Sequence, residues 1–213
     1  MPFMRVSVIG ANGKIGRLLV ERLQAAAGTV PVAMVREEEQ AAALREGGVE
    51  AVVGDLEGDF TFALDGADAV VFTAGSGAHT GKDKTLLVDL WGAVRVMKHC
   101  IARGPRRFIM VSAMRAGDPD AASGGIKPYL VAKWAADEWL LRSGLDFTIL
   151  RPGGLTDDAG TGRVEAAARI ERRGTIPRAD VAAAAVHCLR TPETVGQVYD
   201  LLSGDVPVEK ALR

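Results

Sequence analysis

A tyrosine and a lysine four residues apart could carry proton-transfer chemistry in this chain. Tyr129 and Lys133 share one face if their segment is helical. A free tyrosine has a pKa near ~10, and a neighbouring ammonium favours the phenolate, which predicts a lowered pKa and a usable acid or base. Ser112, at the end of a predicted strand, could hydrogen-bond a substrate carbonyl or hydroxyl. Because such pairs are common by chance, a half-buried tyrosine beside a solvated lysine remains the alternative.

A glycine-rich turn near the front of the chain predicts a phosphate site. Gly10, Gly13 and Gly16 follow a run of β-forming residues and open a run of helix formers. In such a turn one glycine allows the tight bend, another the approach of a phosphate, and a third close helix packing. The helix N-terminus then offers free amides to the anion, and we expect Asn12, Lys14 and Ile15 to take part. An ordinary glycine-rich turn is the alternative.

The residue after the second predicted strand bears on the type of dinucleotide. Sites for NAD usually carry an acidic residue there, about 20 residues after the turn, for the ribose hydroxyls. This chain has Arg36, whose guanidinium could bind a 2′-phosphate with two parallel hydrogen bonds. The position therefore favours NADP over NAD, unless Arg36 is a solvated charge paired with the acidic run 37–39.

Two further strand ends are expected to contact the cofactor. Asp55 and Leu56 follow the third strand and are interpreted as a clamp on the adenine edge. The small residues after the fourth strand, which allow the backbone to pass close to the cofactor, are Thr73, Ala74, Gly75 and Ser76. In the same loop His79 could face a substrate, although a solvated loop histidine is the simpler interpretation.

The elements that would position these residues alternate along the chain. Strands are predicted over 4–9, 30–35, 49–53, 67–72, 106–112 and 146–152, and helices over 14–27, 37–46, 84–103 and 128–143. A late helix over 181–189 and a last strand over 197–202 follow. Nearly continuous apolar strands alternating with helices indicate an α/β fold, a Rossmann-like doubly wound parallel sheet with helices on both faces. We expect one domain over 1–213, in which about 152–213 forms a small C-terminal substrate lobe.

Composition narrows the range of partners and compartments. The chain has 213 residues, 48% of them hydrophobic, and a net charge of −1, which argues against nucleic acid or an anionic membrane as partner. The N-terminus lacks a signal-peptide pattern, and the two cysteines fit a reducing compartment, so a cytoplasmic location is expected. No spacing predicts a metal site. We expect a small-molecule substrate and a monomer or small homo-oligomer.

Several segments together resemble one protein family. They are GANGKIGRLLVERL, GDLEG, VFTAGSG, VDLWGAVRVMKHC, FIMVSAM, YLVAKWAADEWLLRSGLDFTILRPGGL and IPRADVAAA, and they span nearly the whole chain. The sequence is similar to atypical short-chain dehydrogenases/reductases, the NAD(P)-dependent epimerase/dehydratase-like NAD(P)H-binding proteins. The resemblance implies that Ser112, Tyr129 and Lys133 are catalytic, with Lys133 also holding the cofactor. Asp89 stands where that family usually has a catalytic asparagine.

The segment RPGGL carries a further implication of the resemblance. In the family it packs near the nicotinamide, which implies cofactor contacts from Pro152, Gly153, Gly154 and Leu155. A sharp strand exit at Pro152 would need the same residues and is the alternative.

These observations predict an NADP-dependent oxidoreductase that acts on a small carbonyl or alcohol. The chain is short for a protein that binds a nucleotide-sugar, which favours a small substrate. Two alternatives stay open, a non-catalytic NADP(H)-binding redox sensor and an epimerase or dehydratase that reduces its cofactor transiently.

Overall fold

The computed structural model describes residues 3–77, 80–122 and 124–213, and His79 therefore lies outside the described residues. Its strands are β1 (Met4–Ile9), β2 (Thr29–Val35), β3 (Glu50–Val53), β4 (Ala69–Phe72), β5 (Arg107–Val111), β6 (Asp146–Pro152), β7 (Gly154–Thr156), β8 (Arg163–Ala167), β9 (Thr175–Pro177), β10 (Gln197–Ser203) and β11 (Val206–Pro207). Its α-helices are α1 (Lys14–Ala25), α2 (Glu38–Glu46), α3 (Lys82–Lys84), α4 (Ala93–Arg103), α5 (Lys127–Leu141), α6 (Arg178–Arg190) and α7 (Val208–Ala211).

A nine-stranded sheet organises the chain, in the order β11-β8-β10-β6-β5-β4-β1-β2-β3. The strands from β3 to β10 in this order run parallel, β8 pairs antiparallel with β10 at one edge, and β11 pairs antiparallel with β8. The strand order reverses between β1 and β4, and α/β sheets bind ligands in the crevice at such a switch point. The predicted Rossmann-like sheet is confirmed.

Both faces of the sheet are covered because successive strand residues, whose side chains point to opposite faces, are apolar. Val6 and Val8 of β1 pack on one face, under apolar residues of α1 and α6, while Ile9 packs on the other, under α4 and α5. Cys100 and Cys188 are buried free thiols in these two layers. The core therefore holds the carboxyl ends of the central strands rigidly at one edge.

The helix expected over 84–103 differs from the prediction. A π-helical segment, Thr85–Gly92, separates α3 from α4. π-helical turns are rare and often occur at functional sites. This one carries Asp89, which is 1% exposed.

Much of the region expected to form a substrate lobe extends the sheet. β10 pairs with β6, β8 pairs with β10, and α6 packs on α1. Within 152–213, the residues that line the cavity around Tyr129 are 152–155, the segment 168–174, Arg178 of α6 and Asp200 of β10. β7, β8, β9 and β11 were not predicted, because these short strands lack the apolar run that marks the short strands β3 and β4. Among the described residues, no helix combines the length and apolarity that crossing a membrane requires.

Candidate active site

Two of the three glycines in the first turn are required by packing. Gly10 has φ +87°, and a Cβ there would lie 2.6 Å from the backbone of Ala74. A Cβ at Gly16 would collide with the carbonyl of Gly10. Gly13 is different: it has φ −65°, and its Cβ would meet only the Gly10 oxygen, at 3.2 Å. The fold tolerates a side chain at Gly13, so its absence fits the approach of a ligand.

The start of α1 offers unoccupied hydrogen-bond donors. In the described part of the chain, no side chain caps this helix. Within the described ranges, no acceptor meets the backbone amides of Asn12, Lys14, Ile15 and Gly16. Free amides and the positive end of the helix dipole bind phosphate, so the turn fits the pyrophosphate of a dinucleotide.

The side chains of this turn are engaged within the protein. Asn12 accepts hydrogen bonds from Arg17, Lys14 pairs with Asp157 at 2.5 Å, and Ile15 packs against the core. The hydrogen bond from Lys14 lowers the pKa of Asp157. Phosphate contacts from Asn12, Lys14 and Ile15 would therefore come from main-chain amides.

Arg36 is exposed directly after β2. The alternative, in which Arg36 pairs with the acidic residues 37–39, is not found. Arg36 forms no ion pair in the described part of the chain, and Glu38 instead binds Arg45 at 2.5 Å. The guanidinium of Arg36 is thus available to an anion at the strand end.

The predicted adenine clamp is only partly accessible. Asp55 is exposed, and its side chain accepts a hydrogen bond from the Glu57 amide at 2.9 Å. Leu56 is 5% exposed, because its side chain packs in the core against Gly92. A side-chain contact from Leu56 is therefore not available, which leaves its backbone.

Asp89 anchors the loop after β4. Its carboxylate accepts from the Ser76 amide at 2.9 Å, and a Cβ at Gly75 would lie 3.0 Å from it. Thr73 donates to the carbonyl of Ile9 at 3.1 Å, and Ala74 packs on Gly10. Asp89 therefore positions residues 73–76 against the glycine turn.

The expected catalytic residues gather at the carboxyl ends of β5 and β6. Ser112 follows β5, and both Ser112 and Tyr129 of α5 line one cavity of about 710 Å³. Lys133, one turn along α5, is 2% exposed and donates to the Val111 carbonyl at 3.0 Å. Pro152, Gly153, Gly154 and Leu155 line the same cavity.

The electrostatics of the Tyr129–Lys133 pair differ from the prediction. Burial raises the pKa of Tyr129, and the carboxylates Asp89 and Asp137 raise it further. Burial lowers the pKa of Lys133, against the opposing effect of the same two carboxylates. The expected lowering of the Tyr129 pKa by Lys133 is wrong here, because burial and the two carboxylates shift this pKa upward.

Asp137 belongs to the site but was not predicted from the sequence. This residue is fully buried, and its Oδ2 accepts from Ser112 Oγ at 2.9 Å and from Arg151 Nε at 2.9 Å. Its Oδ1 has no hydrogen-bond partner among the residues that the structure describes, and burial raises the pKa of the Asp137 carboxyl. The sequence signal that could have identified Asp137 is its spacing: it follows Lys133 by four residues and so lies on the face of α5 that carries Tyr129. The Ser112 hydroxyl donates its hydrogen to Asp137. Its lone pairs remain available, so Ser112 can accept a hydrogen bond from a group in the cavity.

A glycine turn at the switch point, beside a cavity that holds a tyrosine and a serine, defines a Rossmann-type nucleotide-binding protein of the reductase and epimerase class. The pattern of the NAD(P)H-binding family matches residues 10–192, and the chain belongs to that family. It therefore takes a nicotinamide cofactor.

Relatives and solved structures agree with this assignment. The chain is 47% identical over 213 residues to the uncharacterized sugar epimerase YhfK of Bacillus subtilis, and the alignment covers 99% of each chain. A structure from Bacillus halodurans, assigned to the NAD-dependent epimerases/dehydratases, superimposes with a TM-score of 0.94 at 46% identity, covering 98% of each chain. ChuY, an anaerobilin reductase from Escherichia coli O157:H7, superimposes with a TM-score of 0.79 at 28% identity, covering 95% of this chain and 98% of that one.

Gly13→Val should weaken NADPH binding by at least about 30-fold, or about 2 kcal/mol, because a branched side chain would occupy the space that the pyrophosphate needs. The backbone at Gly13 suits any residue, so the variant should stay folded and lose about 1 kcal/mol of helix capping. Calorimetric titration with NADPH, alongside circular dichroism, measures both effects. A folded variant that binds NADPH normally would show that the turn does not hold the phosphates.

Proposed function

We propose that this protein is an NADP-dependent reductase of small carbonyl compounds, with Tyr129 as the proton donor. The observation that carries the proposal is a tyrosine that lines the cavity together with Ser112, at the carboxyl edge of a dinucleotide-binding sheet, in surroundings that raise its pKa. A phenol whose pKa is raised keeps its proton at neutral pH, and reduction of a carbonyl requires one proton on the oxygen.

Each residue of the site has a role in this reaction. The bound cofactor supplies hydride, and Tyr129 delivers the proton to the substrate oxygen. Ser112, whose own proton lies on the Asp137 bond, accepts a hydrogen bond from the hydroxyl of the product. The buried ammonium of Lys133 lies one helical turn from Tyr129 and is proposed to hold the cofactor ribose.

Epimerisation is the second candidate, because the relatives near 47% identity carry epimerase names. An epimerase or alcohol oxidation would need Tyr129 as a base first. Burial and two neighbouring carboxylates favour the protonated form of the resting side chain, which is the form that reduction starts from, and the phenolate left by proton donation then takes a proton from solvent.

The test is a screen of aldehydes, ketones and quinones with wild-type protein and NADPH, followed at the nicotinamide absorbance band. A reductase consumes NADPH with at least one carbonyl in this set. A protein that binds NADPH tightly and leaves every carbonyl unreduced would be a sensor instead.

NADPH should bind at least about tenfold more tightly than NADH, a difference of about 1.4 kcal/mol. The reason is the unpaired guanidinium of Arg36 at the end of β2, which can meet a 2′-phosphate. Arg36→Ala should remove most of this preference, whereas Arg22→Ala, on the exposed side of α1, should leave it unchanged. Equal wild-type affinities for the two cofactors in calorimetry would contradict the assignment of NADP.

A further inference from the structure

The cavity beside Tyr129 has an unusual wall for a site that takes small carbonyl compounds. Six arginines line it: Arg115, Arg151, Arg169, Arg172, Arg173 and Arg178. Three carboxylates, Asp118, Glu171 and Asp200, line it as well. The charge that a ligand meets therefore depends on which arginines the protein already neutralises.

Four of the six arginines have carboxylate partners. Arg151 binds the buried Asp137 and Arg178 binds the exposed Asp157, and neither carboxylate lines the cavity. Arg172 pairs with Glu165, and Arg169 pairs with Glu171 at 2.8 Å. Among the described residues, Arg115 and Arg173 pair with no carboxylate. Within the described ranges, the cavity thus presents two guanidinium groups without a carboxylate partner, against one carboxylate, Asp200, that forms no ion pair and accepts from the Ile170 amide.

The backbone at Arg115 gives an independent indication. Arg115 has φ +71° and is the one non-glycine residue with positive φ in the described ranges. This conformation strains most side chains, and such strain concentrates at ligand sites. The turn is held by hydrogen bonds from Ala116 to Ala113 and from Asp118 to Arg115. It lies over the Arg151 guanidinium, since a Cβ at Gly117 would come within 2.7 Å of Arg151 Nη1.

Apart from these charged residues, Ser112 and Tyr129, the wall is apolar or glycine. Met114, Ile126, Leu130, Leu155 and Ile170 line the same cavity. An apolar wall with a guanidinium that lacks a partner suits an apolar body bearing a carboxylate or phosphate, which guanidinium binds with two hydrogen bonds.

We propose that the substrate is an anionic carbonyl compound, with an apolar body and a carboxylate or phosphate bound by Arg115 and Arg173. This inference rests on the proposed reductase function, because it names the substrate class of that site. The cofactor phosphates are the other possible source of the anion, and the test separates the two.

The experiment titrates NADP⁺-loaded protein with naphthoate and with its neutral analogue naphthamide, by calorimetry at physiological ionic strength. Naphthoate should bind at least about tenfold more tightly. Arg115→Asn, which suits positive φ, and Arg173→Gln should each weaken naphthoate by at least about threefold, and the double variant should abolish the preference. Arg103→Gln, exposed at the end of α4 and outside the cavity, is the matched control and should change nothing.

Two results would overturn the inference. One is equal affinity of wild-type protein for naphthoate and naphthamide. The other is a double variant that keeps naphthoate binding but loses NADPH affinity, which would assign the arginines to the cofactor. Since no turnover is measured, failure here leaves the carbonyl-reduction screen to be judged separately, and a failed screen does not alter this binding result.

Discussion

Tyr129→Phe should lower kcat for carbonyl reduction by a factor on the order of 100 or more, with little change in NADPH affinity. The substitution keeps the ring that lines the cavity and removes only the hydroxyl, which is the proton donor of the proposed reaction. Steady-state kinetics with the best carbonyl of the screen, together with calorimetric titration of NADPH, measure the two quantities.

The chain supplies a matched control, because it contains two tyrosines. Tyr199 donates to the carbonyl of Arg213 and lies outside the cavity lining, so Tyr199→Phe should retain full turnover. Lys133→Met should weaken NADPH binding as well as turnover, since its buried ammonium is expected to hold the ribose. An active wild type whose Tyr129→Phe variant keeps full kcat would exclude Tyr129 as the donor.

Asp137→Ala should lower the free energy of unfolding by about 3–5 kcal/mol. Asp137 is fully buried and accepts from Arg151, whose side chain is 12% exposed. Removing the carboxylate leaves a guanidinium with no partner and Ser112 without its acceptor. Urea denaturation, with a check that the slope is unchanged, measures the loss.

Two further variants test whether the loss of stability comes from the buried hydrogen bonds of Asp137 with Ser112 and Arg151, rather than from the removal of any carboxylate. Asp137→Asn keeps one oxygen that can accept from both Ser112 and Arg151, so it should lose less than half as much stability as Asp137→Ala. Asp120→Ala, which removes an exposed ion pair with Lys127, should leave the midpoint unchanged. If all three variants unfold at the wild-type urea concentration, the network does not stabilise the fold.

The central sheet could be predicted because its strands carry strong signals. β1, β2, β5 and β6 are apolar runs buried on both faces, and each precedes a helix or a turn rich in glycine. The glycine turn was identified for the same reason, since its spacing follows from steric contacts of Gly10 and Gly16. Local patterns determine these features.

The rest of the site depends on contacts between distant segments. Asp137 meets Ser112 across 25 residues and Arg151 across 14, and neither separation is visible in a periodicity. The raised pKa of Tyr129 arises from burial and from Asp89, which a π-helical segment brings into the site. The pairing that leaves Arg115 and Arg173 unneutralised likewise requires the folded arrangement of 168–174.

The ratio of alcohol formed to NADPH consumed distinguishes net carbonyl reduction from isomerisation at this site. Wild-type protein is mixed with NADPH and the most active carbonyl, and the NADPH consumed is compared with the alcohol formed, which is separated by chromatography. We expect one molecule of alcohol for each NADPH oxidised, because hydride from NADPH and a proton from Tyr129 together convert the carbonyl to the alcohol. An isomerised product with no net loss of NADPH would contradict it and would identify the protein as an epimerase.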